Sequence, residues 1–280
     1  FYFSSTKRNG GDRDIYFMNP LKPAETKLVL ELKGGGWSID DISADGNKLI
    51  ISEYVSANES YLYLFDTETK KLEPITDRNE KQIVQGGAQF SKNADEIFYV
   101  TDRDNEFNRL AMMNLKTKKI TYFTTDIPWE VEDYTLSKDK SKIVFSTNES
   151  GLNKLYLMDT ATKKYSEIKG LPTGLINNIQ FTNDGKSLFF SQSTYDSSSD
   201  VYRLDMASKN IERWTDSEQG EMQKSEMAQP KLIEWTSFDN LKISGFYYPA
   251  SKKFTGKRPV LINIHGGPEG QSFASSLGSG

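Results

Sequence analysis

Few residues of this 280-residue chain have the type and spacing that chemistry requires. His265 is the single histidine, and it opens the run His265-Gly266-Gly267-Pro268 just after the apolar segment Val260–Ile264. Ser272 stands in Gly270-Gln-Ser-Phe-Ala274, a partial echo of the Gly-x-Ser-x-Gly elbow that exposes a nucleophilic serine. An elbow needs a strand before it and a helix after it. Only a turn precedes Ser272, so we read the match as coincidence. Asp102, Asp104, Asn105 and Glu106 form an acidic loop that lacks the glycine and distal bidentate Glu of an EF-hand, and a solvated loop is expected. Neither a metal nor a cofactor is expected. Glu53 and Arg103 could hold a substrate terminus, but nothing in the sequence sets them apart from ordinary surface charge. Asn58-Glu-Ser60 and Asn148-Glu-Ser150 are glycosylation sequons, triplets that also arise by chance.

The elements that must position these residues are repeats. From Ser43 to Thr76 the chain reads as a turn, an alternating strand, a polar loop, a second strand, a Lys-rich turn and a third strand. The same order recurs three times. Its turn anchors Ser43, Ser91, Ser137 and Thr182 are spaced by 48, 46 and 45 residues. The anchors closing the middle strand, Asp66, Asn114, Asp159 and Asp205, are spaced by 48, 45 and 46. Two independent series holding one period indicate a repeat array, and a period in the forties with about four strands indicates propeller blades. Residues 1–33 read as a blade lacking its first strand, since Asn19 precedes Asp66 by 47 residues. Blades are expected at about 37–76, 83–124, 129–169 and 175–215. The loops between second and third strands vary most (Val55–Ser60, Asp102–Asn108, Glu149–Asn153, Thr194–Asp200), as loops of a working face do.

Periodicity stops between Asp216 and Gln229, which reads as a linker or short helix. A hairpin pattern follows, Lys231 to Ser237 and Leu241 to Pro249, with a Phe238-Asp-Asn turn. Val260–Ile264 fits a strand buried on both faces, the kind found in parallel sheets. Formal charge is -4 with both signs interleaved, so no basic stripe argues for nucleic acid. No stretch approaches the roughly 18 apolar residues of a membrane span. Cysteine is absent, which excludes disulfides and thiolate-bound metal without choosing a compartment. Bacterial cytoplasm and periplasm are both compatible with the sequence.

Repeats followed by Trp235-Thr-Ser-Phe-Asp-Asn-Leu-Lys-Ile-Ser-Gly-Phe-Tyr-Tyr-Pro249 and His265-Gly-Gly-Pro268 resemble the prolyl oligopeptidase family of serine peptidases, nearest its acylaminoacyl-peptidase-like and dipeptidyl-peptidase-like members. The resemblance is weak over the repeats and specific over residues 231–270, where Trp235, Asp239, Gly245, Pro249 and His265 to Pro268 match. It implies an all-β, partial β-propeller (one partial and four complete four-stranded blades, residues 1–229) followed by the first strands of an α/β-hydrolase domain (residues 230–280). It also implies short peptide substrates. A Gly-rich turn after an early sheet strand can aim backbone N–H groups at a developing oxyanion. By resemblance, Gly266 and Gly267 border that site while His265 and Pro268 shape the turn. Bases in such hydrolases follow the nucleophile in sequence, so His265 is read as structural. The nucleophile, acid and base are expected beyond Gly280, which leaves no catalytic residue within the chain. The alternative is a TolB-like propeller that binds proteins or peptides without chemistry; residues 231–268 separate the two. A third reading is an ester hydrolase of the same fold.

Overall fold

Each repeat is pinned by two local hydrogen-bonded turns, and these are the sequence anchors. In the first, the Ser43 hydroxyl donates to Asp45 Oδ1 (2.5 Å) and accepts from the Lys48 N–H (2.9 Å). Ser137 does the same with Asp139 and Lys142 (2.6 and 3.0 Å), and Thr182 with Asp184 and Ser187 (2.6 and 3.0 Å). The turn apex takes the left-handed backbone at Gly46 (φ +77°) and Gly185 (φ +69°), and at Ala94 and Lys140 where glycine is missing (φ +55° and +59°). The second anchor is an Asx turn. Asp66 Oδ1 accepts from the N–H groups of Glu68 and Thr69 (3.0 and 2.7 Å), and Asn114 Oδ1 from Lys116 and Thr117 (3.1 and 2.9 Å). Asp159 and Asp205 repeat the arrangement. The lysine that follows is left-handed in all four copies: Lys70, Lys118, Lys163 and Lys209, at φ 58–62°.

The computed structural model describes residues 1–218, 220, 221, 223–251, 253, 255–267 and 270–275, in two compact units. The first, Phe1–Val131, holds three antiparallel sheets in strict chain order. The sheet β1 (Tyr2–Ser5), β2 (Asp14–Asn19), β3 (Lys22–Leu30) has three strands. The four-stranded sheets are β4 (Trp37–Ile42), β5 (Lys48–Ser56), β6 (Glu59–Asp66), β7 (Leu72–Pro74), and β8 (Gln85–Phe90), β9 (Glu96–Thr101), β10 (Arg109–Asn114), β11 (Ile120–Tyr122). The second unit, Glu132–Gly280, has two more: β12 (Glu130–Leu136, starting just ahead of the unit boundary), β13 (Lys142–Glu149), β14 (Leu152–Asp159), β15 (Tyr165–Glu167), and β16 (Leu175–Phe181), β17 (Ser187–Thr194), β18 (Ser197–Asp205), β19 (Ile211–Arg213). A 3-10 turn at Lys224–Glu226 is the only helical element among the described residues. The fold is all-β, a partial β-propeller with one three-stranded and four four-stranded blades among the described residues.

Strand periodicity explains the packing. In β5, Leu49 and Ile51 face the core shared with Ile15, Trp37, Tyr61 and Phe65, whereas Ile50 faces the core formed with Ala88, Phe90, Ile97 and Tyr99. Successive side chains point to opposite faces, and both faces are covered, so the strand reads as a nearly continuous apolar run. In the second unit Val144, Leu155, Ile176, Ile179, Leu188 and Phe190 make the corresponding core. The second-to-third-strand loops are mostly tighter than expected. Three shrink to two residues, because the ladders continue past the last apolar side chain; only the β9–β10 loop stays long.

Beyond the blades, β20 (Lys231–Thr236) and β21 (Lys242–Tyr247) pair in register from Lys231↔Tyr247 to Thr236↔Lys242. Their turn closes through Ser237 N–H to Leu241 O (2.8 Å), with Asn240 left-handed at φ +68°. Val260–Ile264, whose apolar run suits a strand buried on both faces where sheet neighbours exist, takes no strand conformation here. It joins no sheet, and Val260, Leu261, Ile262 and Ile264 are 85, 90, 76 and 80% exposed. A strand buried on both faces needs a ladder partner on each side, and no described residue supplies one.

Candidate functional site

The turn that follows this segment is an exposed loop. His265, Gly266 and Gly267 all face solvent, and Gly267 is left-handed at φ +74°, where an L side chain is strained. Pro268 lies outside the described residues. Among the described residues none accepts a backbone hydrogen bond from Gly266 or Gly267 N–H. The chain then folds back: a Cβ on Gly270 would lie 2.5 Å from Gly266 O and 2.9 Å from His265 Nδ1. Glycine at 267 thus accommodates a left-handed backbone, and glycine at 270 the close approach to Gly266 O and His265. Ser272 has no strand ahead of it, and its carbonyl faces Gly151.

What holds this segment was not evident in the sequence. The β13–β14 hairpin turns through Ser150 (φ +56°) and Gly151 (φ +82°), both left-handed as a type I′ turn demands. Gly151 O accepts from Ala274 N–H (3.1 Å), and Ala274 is buried. A Cβ on Gly151 would sit 2.5 Å from Ser272 O and 2.8 Å from the Phe246 ring, so glycine is needed for conformation and for close approach alike. Beside it, buried Asn148 donates from Nδ2 to Glu132 Oε1 (2.9 Å) and Gln271 Oε1 (2.6 Å), and accepts from Gly151 N–H through Oδ1 (2.9 Å). The other Glu132 oxygen accepts from Asn153 Nδ2 (2.7 Å), and Asn153 Oδ1 accepts from Ile176 N–H (2.7 Å) at the start of the next blade. The only sequence signal here was the sequon at Asn148. Its side chain is fully engaged, whereas Asn58 at the β5–β6 tip is exposed.

The other candidates are tied up internally. Arg78 pairs with Glu53 and donates to Tyr63 OH (2.7 Å), while Tyr63 OH donates to Glu53 Oε2 (2.8 Å). Arg103 makes a two-pronged pair with Glu80, Nη1 to Oε1 at 2.7 Å, which lowers the Glu80 pKa through the hydrogen bond. Neither Glu53 nor Arg103 is a free charge for a substrate terminus. Asp102 accepts from Val84 N–H (2.7 Å); burial nonetheless raises its pKa. In the last blade, Asp200 is buried with Arg213, Thr215 and Ser217 around it. No group of three or more His, Asp or Glu suited to a metal ion occurs among the described residues, and no helix is long and apolar enough to cross a membrane.

Serial four-stranded antiparallel sheets pinned by period-keeping turns define the chain as a β-propeller protein. It belongs to the prolyl oligopeptidase family of serine peptidases: the model of that family's N-terminal beta-propeller domain matches residues 14–217. Among solved structures, puromycin hydrolase is similar over 98% of this chain and 45% of its own, with TM-score 0.81 and 14% identity. A prolyl endopeptidase is similar over 88% and 37%, with TM-score 0.71 and 14% identity. TolB from Acinetobacter baumannii is similar over 88% and 60%, with TM-score 0.59 and 15% identity. The chain thus spans less than half the length of the first two. No match was found among curated protein sequences.

Proposed function

We propose that the chain is the propeller, first hairpin and oxyanion turn of a serine peptidase that hydrolyses peptide bonds in short peptides. The observation that carries this reading is how far the structural likeness extends. It covers 98% of the chain against puromycin hydrolase, which takes in most of residues 231–275 as well as the blades, while the prolyl endopeptidase and TolB alike are similar over 88%. A propeller that only binds has no need of the hairpin and glycine turn that follow its blades. In this reading the N–H groups of Gly266 and Gly267 face the oxygen that gains charge as the scissile carbonyl becomes tetrahedral, and His265 and Pro268 shape the turn. The nucleophile, acid and base come from outside positions 1–280. The blades admit short peptides and exclude folded proteins.

The test is serine-directed fluorophosphonate labelling of the full-length protein, with cleavage of short peptide anilides. Labelling and cleavage are expected together, and residues 1–280 alone should take no label. A full-length protein that captures peptides yet takes no label would instead be a TolB-like binding module. Labelling of residues 1–280 that disappears in Ser272→Ala would make Ser272 a nucleophile.

A further inference from the structure

We infer that Asn148 and Gln271 form a clasp through which the β12–β15 blade positions the His265–Gly267 turn, which makes Asn148 a positioning residue for the reaction. The catalytic half of this inference rests on the function proposed above; the clasp itself rests on geometry alone.

Three observations converge on it. The first is that both N–H donors of the Asn148 amide and its oxygen are engaged: the donors on Glu132 and Gln271, the oxygen on Gly151 N–H. A buried polar group satisfied this fully fixes one geometry, whereas an apolar contact can slide. The second is that Glu132 is itself fixed by Asn153, which reaches Ile176 N–H in β16, so the clasp is braced by two blades. The third is close backbone approach on the other side, where Gly151 O holds Ala274 N–H and Tyr248 OH holds Ser275 O (2.8 Å). Gln271 directly follows Gly270, the glycine that lies against Gly266 O and His265 Nδ1. A shift of Gln271 therefore passes through one peptide unit to the turn. The same arrangement argues against a glycan on Asn148, because attachment at Nδ2 would replace one of the two N–H donors, both of which are in use.

The experiment uses the full-length protein with Asn148→Ala, Gln271→Ala and the double variant. Hydrogen–deuterium exchange across residues 270–275 should quicken roughly fivefold in each single variant, the worth of one ordinary hydrogen bond. The double variant should be no faster than the singles, because both remove the same contact. Gln271 is exposed, so Gln271→Ala leaves the blade intact and keeps the test clean if Asn148→Ala unfolds it. Turnover on a peptide anilide should fall roughly ten- to a hundredfold with KM nearly unchanged, as for a displaced catalytic geometry. Unchanged exchange in Gln271→Ala, or additive effects in the double variant, would overturn the clasp. Coupled exchange with turnover unaffected would overturn the positioning role. Coupled exchange in a protein that takes no fluorophosphonate label would confirm the clasp while removing the peptidase reading.

Discussion

Replacing Asp200 by Asn should destabilise the last blade by about 3 kcal/mol, because the carboxylate is surrounded by donors that an amide cannot all serve. Oδ1 accepts from Thr215 Oγ1 (2.8 Å), Ser217 N–H (2.8 Å) and Ser217 Oγ (3.1 Å). Oδ2 accepts from Ser197 Oγ and Arg213 Nη2. Hydroxyls can turn round to accept from an amide NH2, but the Ser217 backbone N–H and the Arg213 guanidinium cannot. Either amide orientation therefore leaves one of them facing a donor, at about 1–3 kcal/mol, and the ionic attraction to Arg213 is lost as well. Arg213 is 31% exposed and also pairs with Asp216 (2.7 Å), so that second loss is about 1 kcal/mol. With a urea slope of about 2 kcal/mol/M, the midpoint should fall by about 1.5 M. Trp214, edge-on to Phe189 at 4.7 Å, is a fluorescence reporter within the same blade. Desolvation pushes the Asp200 pKa up, but hydrogen bonds from Ser197, Thr215, Arg213 and Ser217 outweigh it, and the net shift is downward. A depressed folded pKa gives stability that is present above the unfolded value near ~4 and is lost as pH falls through the folded one. The gap between wild type and Asp200→Asn should hold from pH 7 to about 5 and narrow below about 4. Asp216→Asn, at a 76% exposed side chain, is the control and should cost well under ~1 kcal/mol. Equal midpoints for the two variants would refute the reasoning.

Gly174→Ala and Gly36→Ala should each destabilise by about 2 kcal/mol or more in thermal melts, because their new Cβ atoms would lie 2.0 Å from Ser193 O and 2.1 Å from Tyr54 O. Gly86→Ala, with nothing within 4 Å, should be neutral or slightly stabilising. The Asp139 carboxyl, held at about 2 first by the Ser137 hydroxyl and then by Ser141, should titrate higher in Ser137→Ala when followed by NMR; an unmoved midpoint would remove that bond from the account. On the function proposed above, Gly267→Val in the full-length protein should lower kcat roughly a hundred- to a thousandfold with little change in KM, since an oxyanion donor acts only in the transition state. Unchanged turnover in a folded Gly267→Val protein would take this turn out of the mechanism.

The blades were legible because their anchors are local chemistry. A hydroxyl three residues before a left-handed apex, or an Asx capping its own turn, needs no distant partner and so leaves its mark in sequence. Contacts one period apart are legible in the same way once the repeat is known. Asp40 Oδ2 takes Ala88 N–H (2.9 Å) at a separation of 48, and Asp41 Oδ2 takes Phe90 N–H (2.8 Å) at 49. Equivalent positions of neighbouring blades lie side by side, so a carboxylate in one inner strand meets the backbone of the next. Burial has caused the Asp40 pKa to rise, although hydrogen bonds from Ser52 and Ala88 hold it down. The Val260–Ile264 run is legible as strand-forming because apolar composition reports a tendency to be buried, but whether a partner strand exists is not a property of the run. Asn148 and Gln271 lie further from reach still. Their separation of 123 residues is no multiple of the period, so the repeat cannot predict it. It depends on where the chain returns after leaving the blades, and a polar side chain that bonds one partner at one distance fixes the register of such a return.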